Sequence, residues 1–187
     1  MTARADSPDS RELGLAWNRP NLAGNESLRL SSPDFAPGSP MPIVHAAERA
    51  GGENVSPALV WSEVPAGTAQ LLLVIEDPDA PTPQPFVHCV ALLDPSVTGL
   101  PAGALDARHP AAGVRVLRSG IGSGYFGPAP PKSHGAHRYV FQLFALAEPV
   151  TLGSRGPALE SAKPRDVLSA ATNVLARARH NGLFTRS

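Results

Sequence analysis

Three ionisable side chains stand at or near the ends of apolar segments, where they could share one site. Asp77 follows the apolar run 71–75 almost directly, His88 lies within the next apolar stretch, and His137 immediately precedes another. Such groups are costly to bury unless they serve one another or a ligand. The alternative is that residues 77–81 form only a structural turn, since Asp and Pro are common turn formers. We expect Asp77, His88 and His137 to converge on one surface pocket, which could bind a ligand or use a histidine as general base.

Two catalytic or metal-binding arrangements can also be assembled from these residues. Ser123, His137 and Asp77 would make a hydrolase triad, but the chain has no GxSxG nucleophile elbow. Zinc would need three or four ligands, and the candidates are His88, His134 and His137. No HExxH motif is present, and prolines around His134 disfavour a helix there. The sequence therefore predicts neither a metal site nor a hydrolytic triad.

A GxGxxG string occupies residues 122–127, with the sequence GSGYFG. A dinucleotide-binding fingerprint must open a helix whose N-terminus meets the pyrophosphate. Pro128, Pro130 and Pro131 follow at once and are incompatible with that helix. We expect a flexible loop here, no bound dinucleotide and no cofactor.

Composition limits the kind of protein that can carry such a site. The chain has 187 residues, which fits one domain, and 16 basic against 16 acidic residues, which argues against nucleic-acid binding. There are 21 prolines and 17 glycines, a density that favours short strands joined by many turns. The single cysteine, Cys89, excludes an internal disulfide.

Four segments are predicted to be strands, and one is predicted to be a helix. The strands are 71–75, 86–93, 114–117 and 139–147, and both faces of the last are apolar, so it should lie in the middle of the core. From Val167 to Ala178 apolar residues follow one helical stripe, with Pro164 and Asp166 before it and Gly182 after it. The pattern predicts a mainly β domain closed by a C-terminal helix.

The ends of the chain suggest its organisation and location. Residues 1–25 are polar and aperiodic, so we expect a loose N-terminal tail, with residues 26–187 forming a single domain. The first residues show no apolar signal region, and the longest aliphatic run, 71–75, is too short to span a membrane. These features predict a soluble, cytoplasmic protein.

Several strings together resemble the phosphatidylethanolamine-binding protein family, also called the Raf kinase inhibitor-like family. They are GENVSP at 52–57, EDPDAP at 76–81, PFVHCV at 85–90, GPAPPKSHGAHRYVFQLFAL at 127–146, and a C-terminal NVLARARHNGLFTR similar to the family's last helix and tail. They occur in the family's order over roughly residues 45–186. The combination of DPDAP with a later PP…HRY is specific to this family. The presence of His134 and Gly135 shortly before HRY is similar to the bacterial branch.

The resemblance implies a β-sandwich of two antiparallel sheets with short flanking helices and a pocket for phosphate-type anions. Carried over to this chain, the ligand-binding residues are Asp77, Pro78, His88, Pro130, Pro131, His137 and Tyr139. Two imidazoles and the Tyr139 hydroxyl would donate to anion oxygens, and Asp77 would orient an imidazole. Arg138, on the opposite face of its strand, is interpreted as structural.

The resemblance also implies a function. It favours a non-catalytic protein that binds a small phosphate-type anion or phospholipid headgroup, with a kinase or protease as a possible regulated partner and a homodimer as a possible assembly. A small-substrate hydrolase or lyase and an interaction module with a vestigial pocket are the alternatives. The chain departs from the family where Cys89 replaces an aromatic residue and Leu93 replaces an asparagine.

Overall fold

Two antiparallel β-sheets form the framework in the computed structural model, which describes residues 9–187. The elements are β1 Arg29–Ser31, β2 Leu59–Ser62, β3 Gln70–Asp77, β4 Phe86–Leu93, β5 Gly99–Leu100, β6 Val114–Val116, β7 Ala136–Leu146, α1 Pro164–Ala170 and β8 Val174–Thr185. The small sheet has the order β1-β2-β5 and the large sheet the order β6-β4-β3-β7-β8. The four predicted strands correspond to β3, β4, β6 and β7, and the two-sheet architecture is confirmed.

The large sheet is buried on both faces because its central strands carry continuous apolar runs. Along β3, Leu71, Leu73 and Ile75 face the small sheet, whereas Leu72 and Val74 face the other way. β7 lies between β3 and β8 and is apolar on both faces, as its sequence predicts. Three layers result: the small sheet, the large sheet, and a cover of short helices on the outer face of the large sheet.

The N-terminal segment contributes to that cover. Three short 3-10 helices span Glu12–Gly14, Ala16–Asn18 and Pro20–Leu22. Within them and between them, Leu15, Ala16, Trp17 and Leu22 are buried against the large sheet. The prediction of a loose tail over residues 1–25 is therefore wrong for Glu12–Leu22. The segment has too few apolar side chains to show a periodic pattern, yet these side chains pack against the large sheet. Residues 1–8 lie outside the described residues.

Two buried polar side chains of the large sheet fasten this segment. Glu76 on β3 and Gln142 on β7 are both fully buried. Glu76 Oε2 accepts hydrogen bonds from the backbone N–H of Ala16 at 2.7 Å and from Gln142 Nε2 at 2.9 Å. Gln142 Oε1 accepts from the N–H of Trp17 at 2.7 Å. Glu76 Oε1 forms an ion pair with Arg165 Nη1 at 2.6 Å, without hydrogen-bond geometry.

The C-terminal helix predicted through Ala178 is wrong beyond Ala170. The helix spans only Pro164–Ala170, and the chain then forms the twelve-residue strand β8. Ala176, Ala178 and His180 are buried, and Arg177 and Arg179 are not, which is the period-two pattern of a strand. Pairing with β7 along its whole length outweighs the local helical stripe.

The outer edge of β8 is covered by irregular chain. The N–H of Arg177 donates to the carbonyl of Asn25 at 2.7 Å, and the N–H of Gly38 donates to the carbonyl of Asn181 at 2.7 Å. Leu183 exchanges backbone bonds with Ser39 and Met41. At the other edge of the large sheet, β6 is only three residues long.

Candidate functional site

The ends of β3, β4 and β7 enclose a cavity of about 190 Å³, here called the inner cavity. Six of the seven residues expected to bind a ligand line it: Asp77, His88, Pro130, Pro131, His137 and Tyr139. Asp77, His88 and His137 therefore converge as predicted, although Asp77 and His137 are 60 positions apart. Pro78 lines a neighbouring cavity instead.

Asp77 and His137 form a buried pair. The Nδ1 of His137 donates to Asp77 Oδ2 at 2.7 Å, and both side chains are at most 4% exposed. Burial raises the pKa of Asp77, and the hydrogen bond from His137 opposes that rise. Because Nδ1 is committed to the carboxylate, Nε2 is the ring nitrogen that remains for a ligand.

His88 is held by the backbone rather than by a side chain. Its Nδ1 bonds to the carbonyl of Phe126, and a carbonyl only accepts, so Nδ1 carries the hydrogen. The pKa of His88 is lowered to about 4, chiefly by burial and to a lesser degree by electrostatic interaction with His137 and Arg49, while the bond to the Phe126 carbonyl opposes the shift. At neutral pH the imidazole is therefore uncharged, and its Nε2 is a hydrogen-bond acceptor. In this protonation state Nε2 of His88 does not donate, which differs from the expectation that both imidazoles donate to an anion.

Tyr139 brings a hydroxyl that has no hydrogen-bond partner among the described residues. The residue is 1% exposed, and its hydroxyl oxygen makes no hydrogen bond within residues 9–187. The N–H of Ala129 opposes the burial-driven rise in the pKa of Tyr139 but lies outside hydrogen-bond geometry. A buried polar group without a partner costs free energy, so this hydroxyl is available to a ligand.

Arg49 was missed by the sequence analysis. It lines the inner cavity, and its guanidinium lies 5.1 Å from the centroid of the Phe126 ring, a cation–π arrangement. Burial is the main cause of the lowered pKa of His88, and the positive charge of Arg49 contributes to it. Arg49 sits in a turn-rich stretch far from DPDAP and HRY, so nothing in its own surroundings marked it as a site residue.

The GxGxxG string has a structural role in this arrangement. Gly122 and Gly124 have φ of +77° and +73°, and the next element after them is the strand β7 rather than a helix. A Cβ on Gly127 would lie 2.3 Å from the carbonyl oxygen of His45, so only glycine fits. The loop thereby places the Phe126 carbonyl against His88. The absence of dinucleotide binding stays a prediction.

The other candidates separate in space. Ser123 lines a different cavity, with Tyr125 and Arg108, so the structure brings together two members of the conjectured triad but not the nucleophile. Within residues 9–187 no cluster of three metal-ligating side chains occurs. Cys89 and Leu93, where the chain departs from the family pattern, are buried in the core between the sheets.

Arg138 belongs to a separate ion-pair network. Its guanidinium binds Asp79 through Nε at 2.8 Å and Nη2 at 2.7 Å, Glu12 at 2.7 Å, and Asp9 at 3.1 Å. These bonds tie the N-terminal segment to the DPDAP turn. They also lower the pKa of Asp79 to about 2 despite its partial burial.

The fold and the site together define a class of protein, a sandwich of two antiparallel sheets with a small cavity at the strand ends. The sequence pattern described as phosphatidylethanolamine-binding protein matches residues 31–185. The chain therefore belongs to the phosphatidylethanolamine-binding protein family.

Individual relatives agree with this assignment. The chain is 43% identical over 130 residues to LppC of Mycobacterium tuberculosis, covering 68% of this chain and 58% of that protein. It is 40% identical over 126 residues to the UPF0098 protein YbhB of Escherichia coli, covering 64% of this chain and 78% of that one. The crystal structure of E. coli YbcL, described as a member of the mammalian PEBP family, superposes with a TM-score of 0.72 at 28% identity, over 86% of this chain and 99% of that chain.

Proposed function

We propose that this chain is a non-catalytic binding protein whose inner cavity takes the phosphate group of a small phosphomonoester or phospholipid headgroup. The buried hydroxyl of Tyr139, without a partner among the described residues, is the observation that carries the proposal. The imidazoles of His88 and His137 line the same cavity, and Arg49 supplies a positive charge there.

The size of the cavity favours a compact group. At about 190 Å³ it is smaller than the roughly 300–1,000 Å³ of cavities that enclose drug-sized ligands. Prolines at 130 and 131 form part of its wall, which makes that wall stiff. A phosphate with a short substituent fits these properties better than a bulky acyl chain does.

The protonation of His88 sets the ionic form that binds. A neutral His88 offers an acceptor at Nε2, which repels a fully ionised phosphate oxygen but accepts a hydrogen bond from a phosphate O–H. Either the phosphate monoanion binds, or the complex takes up a proton onto His88. In both cases, above the second phosphate ionisation near about pH 6, binding is linked to uptake of one proton.

Replacing Tyr139 by Phe separates binding from stability. The hydroxyl has no protein partner to lose within the described residues, so we expect the free energy of unfolding to stay unchanged or to rise slightly. Affinity for inorganic phosphate should fall about tenfold, because a hydrogen bond to a charged group is lost. Calorimetry and urea denaturation measure the two effects. Tyr125→Phe is the matched control, since its buried hydroxyl donates to the carbonyl of His45 and its loss should lower stability instead. Unchanged phosphate affinity in Tyr139→Phe would contradict the proposal.

The pH dependence of phosphoethanolamine binding tests the role of His88. Proton uptake on binding means that affinity falls as pH rises, by up to about tenfold per pH unit above pH 7. His88→Gln should flatten this decline, because an amide N–H donates without titrating. His109→Gln, at a side chain that is 88% exposed, should leave the decline intact. Wild-type affinity that is level or increases from pH 7 to pH 9 is the result that overturns the linkage.

A hydrolase remains the second candidate because of one specific observation. The Asp77–His137 pair has the geometry of an oriented general base. Turnover of p-nitrophenyl phosphate or p-nitrophenyl acetate, lost in His137→Gln, would favour it over simple binding. The absence of both turnover and phosphate binding would favour an interaction module with a vestigial pocket.

The cellular setting is a further part of the proposal. Among residues 9–187 no helix is long and apolar enough to cross a membrane. We infer a cytoplasmic location from the sequence, while the name of the relative LppC includes the word lipoprotein. Fractionation of cells that express the native gene tests this location. Regulation of a kinase or protease and formation of a homodimer stay predictions that rest on the family resemblance.

A further inference from the structure

A second cavity of about 600 Å³, here called the outer cavity, lies directly beside the inner one. The two cavities share Ala80, Pro81, Thr82 and His137 in their walls. His137 thus borders both cavities, and a ligand whose phosphate lies at His137 has the outer cavity next to it.

The N-terminal segment builds the far wall of the outer cavity. Ser10, Arg11 and Gly14 line it, and all three precede residue 31, where the match to the family begins. This wall is fixed in place, because Arg138 binds both Glu12 and Asp9 on the N-terminal side and Asp79 on the other. This one wall of the outer cavity thus lies outside the part of the chain that the family pattern matches, whereas its other lining residues lie within that part.

The charged groups in the walls differ in what they still have to offer. Asp79 Oδ1 accepts from Arg138 Nη2 and Arg11 Nη1, and Asp79 Oδ2 accepts from the N–H and Nε of Arg138. Its acceptor sites are therefore occupied, and little capacity remains for a ligand cation. Arg11 has five N–H donors. Within residues 9–187 its guanidinium uses one of them, in a long bond of 3.4 Å to Asp79.

His134 adds to the donors on this side. It is exposed, lines the outer cavity, and stacks on His137 with ring centroids 5.7 Å apart. It therefore stands at the junction between the two cavities. Arg11 and His134 both present N–H groups, while Asp79, the one carboxylate that residues 9–187 contribute to the outer cavity, is already neutralised by Arg138.

We propose that the outer cavity is a second subsite that selects phosphomonoesters whose organic part carries a second anionic group, recognised by Arg11. The proposal rests on the proposed function of the inner cavity. A carboxylate matches the planar fork of the Arg11 guanidinium, which binds such groups in a bidentate way. An ammonium group, as in phosphoethanolamine, would be repelled by the like charge of Arg11. It would also find the acceptor sites of Asp79 already occupied by Arg138 and Arg11.

Calorimetry with three probes tests the subsite. We expect 3-phosphoglycerate to bind about tenfold more tightly than inorganic phosphate, and phosphoethanolamine to show no such gain. Arg11→Gln should abolish the gain for 3-phosphoglycerate and leave the affinity for inorganic phosphate within about twofold. Arg11→Glu should invert the preference toward phosphoethanolamine. The matched control is Arg108→Gln, at an arginine that lines a different cavity.

The outcomes separate the two proposals. If inorganic phosphate binds but 3-phosphoglycerate gains nothing, or if Arg11→Gln weakens all three probes equally, the subsite is refuted and the inner-cavity function stands. If none of the probes binds while the protein melts cooperatively, both proposals fail. The Arg11 side chain is 63% exposed. The midpoints of thermal unfolding of the Arg11 variants should therefore match that of the wild type.

Discussion

Lowering the pH from 7 to 4.5 is expected to remove about 2 kcal/mol from the free energy of unfolding through His88 alone. Burial lowers the pKa of this imidazole to about 4 in the folded protein, whereas an unfolded histidine titrates near about 6.5. The unfolded chain therefore binds the proton more readily between these two values. The stabilisation is fully present above pH 6.5 and is lost as pH falls toward 4.

The measurement is urea denaturation of the wild type and two variants at pH 7, 5.5 and 4.5. Other groups also titrate over this range, so the difference between variants is the informative quantity. His88→Gln can keep the bond to the Phe126 carbonyl through its amide and should lose about 2 kcal/mol less than the wild type on acidification. His109→Gln removes an exposed histidine and should follow the wild type. Identical slopes for wild type and His88→Gln would show that His88 is not buried as a neutral base.

Replacing Glu76 by Ala is expected to lower the free energy of unfolding at pH 7 by about 3 kcal/mol. The substitution leaves the N–H of Ala16 and the amide of Gln142 without their acceptor in a buried place, and it leaves Arg165 without its partner. The cost is that of orphaned donors and a broken buried ion pair. Since the Arg165 side chain is a quarter exposed, water compensates part of it.

A matched pair of variants and a local readout sharpen this test. Glu76→Gln keeps one acceptor oxygen and should cost clearly less than Glu76→Ala. Glu160→Ala breaks an ion pair with Arg115 in which both side chains are about half exposed, and it should change stability little. Hydrogen exchange at the amides of Ala16 and Trp17 should accelerate in Glu76→Ala. Slow exchange at both amides in that variant would mean that Glu76 does not fasten the N-terminal segment.

The central strands and part of the candidate site could be predicted because their signals are local. Continuous apolar runs predict β3, β4 and β7. Asp77, His88 and His137 are recognisable because they are ionisable residues at or near the ends of those runs. The failure at the C-terminus has a physical reason. The helical stripe from Val167 to Ala178 coexists with the alternation of alanine and arginine at 176–179, and the long partner strand decides between them.

Other features are invisible in sequence because they depend on contacts between distant segments. Nothing near Glu76 indicates that its carboxylate will meet the N–H of Ala16, 60 positions away. The neutral state of His88 follows from its burial, and the carbonyl that fixes its Nδ1 belongs to Phe126, 38 positions further on. Arg49 reaches the inner cavity through its packing on that same phenylalanine ring.

The covered edge of β8 restricts how this protein can associate with others. Peptide groups on that edge are bonded to Asn25 and to residues 38–41, so an incoming strand would first have to displace them. At the opposite edge, the three residues of β6 offer too short a template for extending the sheet. Extension of the large sheet by strand addition is therefore disfavoured in the native state. We therefore expect a partner of the large sheet to contact side chains on its surface, and any strand addition at β8 to require that the 25–41 segment first detach.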